Sequence, residues 1–257
     1  SDSDLLEFCI LANDSYRSGS PIVSDENYDF IFIPELQKRL PHHSFLQKVE
    51  SESEGFSDEK IKLPEKMLST DKAYTWGEIE KWLERISKFS EEINIQLSEI
   101  QIKGTAKLDG FAGYDDGKKL YTRGDGNKGS DISRVFQRGL GILNDSERGQ
   151  GPGEIVVKRS YFEDHLSNDF EYPRNFQASL IKEKELDKFA RDAIDAKAAL
   201  FVPFKQLPFW KGNIDEFKNQ FLDIVIKLEE GVDFDIDGVV FEIVNPELKE
   251  FMGSNRK

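Results

Sequence analysis

The sequence contains few of the residues that disulfides and structural zinc sites require. It has one cysteine, Cys9, and three histidines in 257 residues. A single thiol cannot form a disulfide within the chain, and this inventory excludes the cysteine-rich tetrahedral site of a structural zinc module. Because low cysteine usage favours a reducing compartment, we expect an intracellular, cytoplasmic protein.

Long apolar runs and an excess of positive charge are missing as well. No stretch approaches the roughly 18 apolar residues that cross a bilayer, and the first residues, SDSDLLEF, are acidic where a secretory signal would be basic. We therefore expect no membrane partner. Asp and Glu outnumber Lys and Arg by 49 to 35, which gives a net charge of -14. Because phosphate neutralisation dominates nucleic-acid affinity, this balance argues against nucleic-acid binding by the bare chain.

Helical periodicity marks the first third of the chain. Residues 4 to about 40 are predicted to be helical, with a kink or break at Pro34. The polar segment 50–66 is typical of an exposed connection. Thr75 and Glu78 have the spacing of a capping box, which predicts the start of a second amphipathic helix.

From about residue 100 the pattern changes to short strands. Segments rich in Ile, Val and Phe are separated by turn residues, and helical stretches around 183–197 and 216–229 interrupt them. Because these elements do not repeat as regular βαβ units, we predict an α+β domain built on antiparallel sheets. The predicted strands lie near 100–106, 111–114, 118–122, 154–158, 199–204 and 235–244.

Four segments carry residue types suited to phosphate chemistry. A lysine amine in the neutral form attacks phosphorus, and glycines let a backbone approach a phosphate closely. Carboxylates on a strand are costly to bury unless they meet a cation. Each segment alone is also compatible with an ordinary surface turn or hairpin, but four in order are harder to explain that way. The segments are Lys107-Leu108-Asp109-Gly110, Thr122-Arg123-Gly124-Asp125-Gly126, Gly153-Glu154 and Asp235-Ile236-Asp237-Gly238-Val239-Val240.

Together with Pro173-Arg174-Asn175, these segments resemble, in order, the nucleotidyltransferase motifs of bacterial NAD-dependent DNA ligases. The front of the chain is similar to the helical module with which those ligases capture the nicotinamide mononucleotide (NMN) half of NAD. The segment Met67 to Ala73 resembles the linker of the family. The resemblance implies a nucleotidyltransferase (ATP-grasp-like ligase) fold over residues 69–257, preceded by a small helical domain over residues 1–68.

The resemblance also implies the reaction and the residues that carry it. Lys107 would attack the α-phosphate of NAD and form a lysyl-AMP intermediate with release of NMN, the first step of nick sealing in DNA replication and repair. Glu154 and Asp237 would hold Mg²⁺. The implied catalytic residues are Lys107, Asp109, Arg123, Glu154 and Asp237. The implied cofactor-binding residues are Tyr16, Asp25, Tyr28, Asp29, Ser69, Thr105, Leu108, Arg174, Phe204 and Glu242, with Phe204 stacked on the adenine.

Two departures from the family change the polarity of the predicted base-binding edge. The family has Glu two residues before its lysine and Lys five residues after its last motif aspartate, where this chain has Thr105 and Glu242. An acceptor in place of a donor suits guanine better than adenine, because the guanine ring nitrogen carries a proton. The alternative is that a neighbouring lysine or a shifted strand restores adenine recognition.

Other departures concern the ends of the chain. Tyr16 stands where the family has an imidazole near the nicotinamide, and the chain ends at Lys257, before the last lysine-bearing motif. The length leaves no room for the barrel, zinc module and DNA-gripping repeats of a full ligase, so we expect a fragment or one subunit of a split enzyme, in a bacterial cell or in a cell infected by a phage or virus. We expect a monomer that meets nicked DNA only with the missing domains or a second subunit.

Two alternatives to this function stay open from the sequence. The first is a ligase-derived subunit that binds a nucleotide or a partner but no longer seals nicks, which Thr105, Glu242 and the missing final motif favour. The second is an α+β scaffold with coincidental motifs, and the ordered set of five motifs argues against it.

Overall fold

Most of the paired strands in the sheets run antiparallel. The computed structural model describes residues 1–17, 22–24, 27–47, 60–67, 70–183 and 185–253. Within these residues the strands form sheets of two, three and five strands, so the mixed helix-and-sheet class agrees with the predicted α+β class. The strands are β1 (Ile61–Lys62), β2 (Gln101–Leu108), β3 (Phe111–Asp115), β4 (Leu120–Thr122), β5 (Lys128–Gly129), β6 (Gly141–Ile142), β7 (Gly151–Val157), β8 (Ala199–Pro203), β9 (Phe209–Asn213) and β10 (Ile236–Ile243).

The chain divides into two compact units. The division after Met67 coincides with the predicted domain boundary at residue 68, whereas the division after Lys107 falls within β2. The assignment of residues 1–68 and 69–257 to separate functional domains remains a prediction. The first unit contains Ser1–Met67 and Leu108–Gln206, and the second unit contains Leu68–Lys107 and Leu207–Lys257.

Helices begin where the sequence supplies capping groups. The amide of Thr75 donates to the Glu78 carboxylate at 3.0 Å and the amide of Glu78 donates to the Thr75 hydroxyl at 3.4 Å, which confirms the capping box. Asn213 and Glu216 exchange the same two bonds at 2.9 Å each. The helices are α1 (Asp2–Arg17), α2 (Ile33–Arg39), α3 (Trp76–Glu92), α4 (Arg134–Gln137), α5 (Arg159–His165), α6 (Pro173–Lys182), α7 (Lys188–Asp195), α8 (Ile214–Glu230) and α9 (Pro246–Met252).

The amino-terminal segment is less regular than its periodicity predicts. The prediction of helix from residue 4 to about 40 is wrong in its continuity, because α1 ends at Arg17 and residues 22–24 are not helical. A π-helical turn over Tyr28–Phe32 leads directly into α2. Pro34 lies in the first turn of α2, directly after this π-helical turn, so the change of helix type falls where the sequence predicts a kink or break.

The first unit is organised around the five-stranded sheet, in the order β4-β3-β7-β8-β6. Its pairs are antiparallel except β6 with β8, which is parallel and departs from the prediction. Helix α6 packs on β3 and β7, and its Phe176 belongs to the same hydrophobic cluster as Phe201 of β8; both are fully buried. Burial of each such side chain contributes about 1.5–3 kcal/mol.

The second unit holds the three-stranded sheet, in the order β10-β2-β9. Strand β2 alternates strictly between half-buried and buried positions. Its buried face includes Ile102, which packs in one cluster with Ile86 of α3 and Phe217 of α8. Lys103, Thr105 and Lys107 therefore share the more open face of the strand, because alternate residues of a strand point the same way. None of the helices in the described part of the chain is both long and apolar enough to cross a membrane.

An ion pair between the buried Asp115 and the partly exposed Arg148 fixes the end of β3 in the first unit. The Asp115 side chain has no exposed surface and accepts hydrogen bonds from Arg148 Nε at 2.7 Å, the Gly149 amide at 2.7 Å and the Gly117 amide at 3.1 Å. The Arg148 guanidinium lies 4.0 Å from the centroid of the Phe136 ring. Removal of one partner from such a pair leaves a charge without compensation.

We predict that Asp115→Asn lowers the free energy of unfolding by about 3 kcal/mol, because it replaces an acceptor oxygen by a donor facing other donors. The matched control is Asp145→Asn, since Asp145 pairs with Lys197 at 2.6 Å but both side chains are well exposed. That control should cost less than about 1 kcal/mol. Urea unfolding measures both, and equal losses would contradict the assignment.

Candidate active site

The lysine of the first motif meets the last motif in the second unit. Lys107 lies on β2, and its amine contacts the Asp237 carboxylate of the neighbouring strand β10. The Lys107 side chain is 36% exposed and that of Asp237 is 26% exposed, so a ligand can reach the pair. The structure thus joins residues 130 positions apart in the sequence.

A glycine after Asp237 changes the alternation of β10. Asp237 and Glu242 are five residues apart, so strict alternation would place them on opposite faces. They nevertheless lie near Lys107 and Lys103, which share one face of β2. Gly238 has φ = 143°, a backbone conformation that favours glycine, at the point where the alternation breaks.

Glu242, at the predicted base-binding edge, has two lysine neighbours. Lys249 of α9 donates to Glu242 Oε2 at 2.6 Å, and the Lys103 amine lies 3.9 Å from Glu242 Oε1. Lys103 also lies over the Phe209 ring, 5.3 Å from its centroid. Thr105 is half-buried on the face of β2 that carries Lys103. Cations therefore remain at this edge although the family's own lysine is replaced.

In the first unit, Asp109 is held by two donors. The Tyr16 hydroxyl donates to Asp109 Oδ1 at 2.7 Å, and Arg174 Nη1 donates to the same oxygen at 3.1 Å. Asp109 is 65 residues from Arg174 and 93 residues from Tyr16 in the sequence. The structure brings together three residues that the sequence assigns to the site separately.

Arg174 is the buried centre of this group. It is 7% exposed, and its guanidinium lies 4.2 Å from the centroid of the Tyr16 ring and 4.5 Å from that of Phe111. It donates to the backbone carbonyls of Tyr16 and Gly110 as well as to Asp109. A cation in the first turn of a helix opposes the helix dipole, so these acceptors hold Arg174 in place at the start of α6.

Gly110 brings the loop after Asp109 directly onto β7. A Cβ atom at Gly110 would lie 2.4 Å from the Ile155 carbonyl oxygen and 2.8 Å from Glu154 Cγ, so a larger residue does not fit. Glu154 is 9% exposed and lies inside β7, which begins at Gly151, three residues before the start of the strand predicted near 154–158.

The glycine-rich segment after β4 forms a tight hairpin. The amides of Asn127 and Lys128 donate to Asp125 Oδ1 at 2.8 Å each, and they hold the pKa of that carboxyl below its usual range. Arg123 Nε donates to the Met67 carbonyl at 3.3 Å. Asp125 thus shapes the loop, while Arg123 ties it to the segment that precedes residue 68.

The remaining predicted binding residues have varied surroundings. Phe204 begins a 3-10 turn and packs, partly buried, on the cluster of Leu63, Met67 and Tyr121. The side chain of Leu108 is 4% exposed and belongs to the buried face of β2. A stack of adenine on Phe204 stays a prediction.

The predicted nicotinamide side of the site lies in the amino-terminal segment. Tyr28 and Asp29 are half-buried in the π-helical turn, and the Tyr28 hydroxyl donates to the Cys9 carbonyl at 3.1 Å. Asp25 and Ser69 lie outside the described residues.

The predicted magnesium ligands suit the ion only if substrate phosphates and water complete its coordination shell. Across the ranges that the structure describes, no three His, Cys, Asp or Glu side chains cluster closely enough to hold a metal. Mg²⁺ is usually bound through one or two protein carboxylates together with substrate phosphates and water. Asp237, partly exposed beside Lys107, fits that mode of binding.

Two contacts of the site have no sequence signal of their own. Lys249 is an exposed lysine on a short helix, and only the packing of α9 beside β10 reveals that it reaches Glu242. The bond from Tyr16 to Asp109 is likewise invisible, because nothing in the spacing of α1 points to a residue beyond position 100.

Comparison with known proteins matches this arrangement of motifs. Residues 56–197 match the family model described as the NAD-dependent DNA ligase adenylation domain. The chain is 58% identical over 257 residues to a DNA ligase of Ruthia magnifica, 57% identical over 256 residues to one of Vesicomyosocius okutanii, and 50% identical over 256 residues to one of Desulfotalea psychrophila.

These matches cover the whole of this chain, but the chain spans only about 40% of the length of the relatives: 42%, 40% and 38% in the same order. The family model covers more than half of the chain and includes Lys107, Asp109, Arg123, Glu154 and Arg174. The predicted resemblance is therefore confirmed, and the chain belongs to the family of NAD-dependent DNA ligase adenylation domains.

Proposed function

We propose that this chain transfers adenylate from NAD to the amine of Lys107 and releases NMN, as the first step of nick sealing. The observation that carries the proposal is the contact between the Lys107 amine and Asp237 on a partly exposed strand face. This contact directs Lys107 of the segment 107–110 toward the Asp237 carboxylate of the segment 235–240. Membership of the adenylation family supports the reaction type.

The reaction balances with the groups that surround Lys107. The amine, once it has lost a proton, forms a P–N bond to the α-phosphorus, and the bond from that phosphorus to the oxygen bridging to NMN breaks. NMN leaves with its phosphate. Asp237 orients the amine before attack, and the proton that the amine loses passes to solvent, which reaches the partly exposed pair.

We further infer roles for the groups of the first unit. Arg174 and Arg123 offset negative charge on the phosphates, and Asp109 fixes the orientation of Arg174 through Nη1. We infer that residues 1–68 act as the NMN-capture module, with Asp25, Tyr28 and Asp29 as its binding residues, whereas Tyr16 of the same module contacts Asp109 and Arg174. The remaining chain would form the nucleotidyltransferase fold, and Ser69, Leu108 and Phe204 would line its nucleotide pocket.

Mg²⁺ is the proposed metal, and the family resemblance implies Glu154 and Asp237 as its protein ligands. When bound, the ion offsets phosphate charge. Glu154 is nearly buried in β7 and Asp237 is partly exposed on β10. A carboxylate as buried as Glu154 is stabilised by a cation or by hydrogen bonds, which is compatible with this role.

Nicked DNA is the proposed eventual substrate, in replication and repair and in the cytoplasm. The relatives that carry the name DNA ligase are more than twice as long as this chain. Strand sealing would therefore depend on parts that are homologous to the remainder of those proteins. A ligase-derived subunit that binds nucleotide without reacting remains the alternative, and adduct formation distinguishes the two.

For the base-binding edge we propose that Lys249 takes over from the missing family lysine. An ammonium group donates to the unprotonated ring nitrogen of adenine, whereas Glu242 alone would set two acceptors against each other. The 2.6 Å bond from Lys249 to Glu242 keeps a donor at this edge. This supports use of NAD itself and argues against a change to a guanine dinucleotide.

We predict that incubation with adenylate-labelled NAD and magnesium gives an acid-labile, alkali-stable protein adduct that disappears in Lys107→Ala. The matched control is Lys211→Ala, because Lys211 is an exposed lysine on β9 of the same sheet. The control should label like the wild type. Labelling of Lys107→Ala, or no labelling of the wild type, would contradict the proposal and favour the binding subunit.

We predict that Lys249→Met lowers the preference for NAD over nicotinamide guanine dinucleotide about tenfold, because it leaves Glu242 with only the more distant Lys103 amine, 3.9 Å away, as a cation neighbour. Competition between the two dinucleotides for labelling measures this ratio. The exposed helical lysine Lys218, changed to Met, serves as the control. A wild type that already prefers the guanine dinucleotide would instead establish altered base selection.

A further inference from the structure

Tyr16 lies on the last turn of α1 and makes more contacts than a surface residue at a helix end needs. Its hydroxyl donates to Asp109 Oδ1 at 2.7 Å, its ring covers the Arg174 guanidinium at 4.2 Å, and its carbonyl accepts from Arg174 Nε at 3.1 Å. Three separate groups of one residue thus engage the same buried pair. All of these contacts lie within the first unit.

The helix that carries Tyr16 is itself anchored. Cys9 and Ala12 of α1 are buried, and the Tyr28 hydroxyl bonds to the Cys9 carbonyl. The rings of Phe8 and Phe32 lie 4.5 Å apart. Tyr16 is therefore presented by a packed element, which fixes the position of its hydroxyl.

Tyr16 also closes one side of the Arg174 environment. The guanidinium lies between the rings of Tyr16 and Phe111, and its Nη1 is shared between Asp109 and the Gly110 carbonyl. Asp109 keeps only one fifth of its side chain exposed. Its Oδ1 accepts from both donors, so loss of either donor frees the carboxylate to rotate.

We propose that Tyr16 is a positioning residue of the adenylyl-transfer reaction, which acts through Asp109 and Arg174 rather than by touching the dinucleotide. This inference rests on the proposed function of Lys107. Asp109 lies two residues after Lys107 in the chain. The Tyr16 hydroxyl holds the Asp109 carboxylate in the orientation in which it accepts from Arg174, whose Nη1 also donates to the Gly110 carbonyl. The amino-terminal helical segment thereby sets the geometry of the motif that carries Lys107.

The test compares Tyr16→Phe with Tyr121→Phe. Both substitutions remove a tyrosine hydroxyl that donates to an aspartate, Tyr121 to Asp116 Oδ2 at 3.0 Å, and both keep the ring. We predict that Tyr16→Phe lowers the rate of labelling at saturating NAD about tenfold, with less than a twofold change in the NAD concentration that gives half the maximal rate. Tyr121→Phe should leave both quantities unchanged, while the two variants lose similar thermal stability.

A rise in the half-saturating NAD concentration without loss of maximal rate would overturn the inference, because it would show direct contact with the dinucleotide. An unchanged rate in Tyr16→Phe would overturn it as well. If the wild type forms no adduct, the proposed function fails and the inference falls with it; a labelled wild type with an equally fast variant refutes the inference alone.

Thermal unfolding gives a second measurement that needs no activity. Tyr16→Phe should lower the melting temperature in the wild-type background but have almost no effect in an Asp109→Ala background, because alanine offers the Tyr16 hydroxyl no acceptor. Equal effects in both backgrounds would show that the hydroxyl does not act through Asp109 and would overturn the inference.

Discussion

The pairing of β2 with its neighbours is the constraint on which the proposed chemistry depends. One face of β2 is buried against Phe217 and the rest of the second-unit core, and this burial fixes the register and direction of the strand. The opposite face must then carry Lys103, Thr105 and Lys107 side by side. A slip of one residue would bury the lysines and expose Ile102, which apolar burial strongly disfavours. The Lys107 amine is thus held in place by hydrophobic packing on the other side of its own strand.

In the first unit, the packing around Arg174 is the corresponding structural constraint. A nearly buried guanidinium needs acceptors and, on its faces, rings or other polarisable surface. Tyr16, Asp109, Gly110 and Phe111 supply these from the end of α1 and from the segment that begins β3. Because the same acceptors orient the motif that follows Lys107, packing around one arginine links the amino-terminal helices to the proposed chemistry.

Local rules predicted the elements whose causes are local. The Thr75 capping box starts α3, and alternation identified the long strands. The pattern did not predict α6, although its signal, a proline at the first helical position, is present at Pro173. The parallel pairing of β6 with β8 and the end of α1 at Arg17 depend on distant partners, so periodicity alone could not provide them.

The sequence by itself determined which residue types stand in the motifs, in what order, and hence the family and the candidate nucleophile Lys107. Only the tertiary structure decided which polar side chains meet: Lys249 with Glu242, and Tyr16 with Asp109. The reason is that residue type is a local property. Tyr16 and Asp109 are 93 positions apart, and the packing of whole helices and strands sets the distance between them. No residue spacing in the sequence encodes that distance.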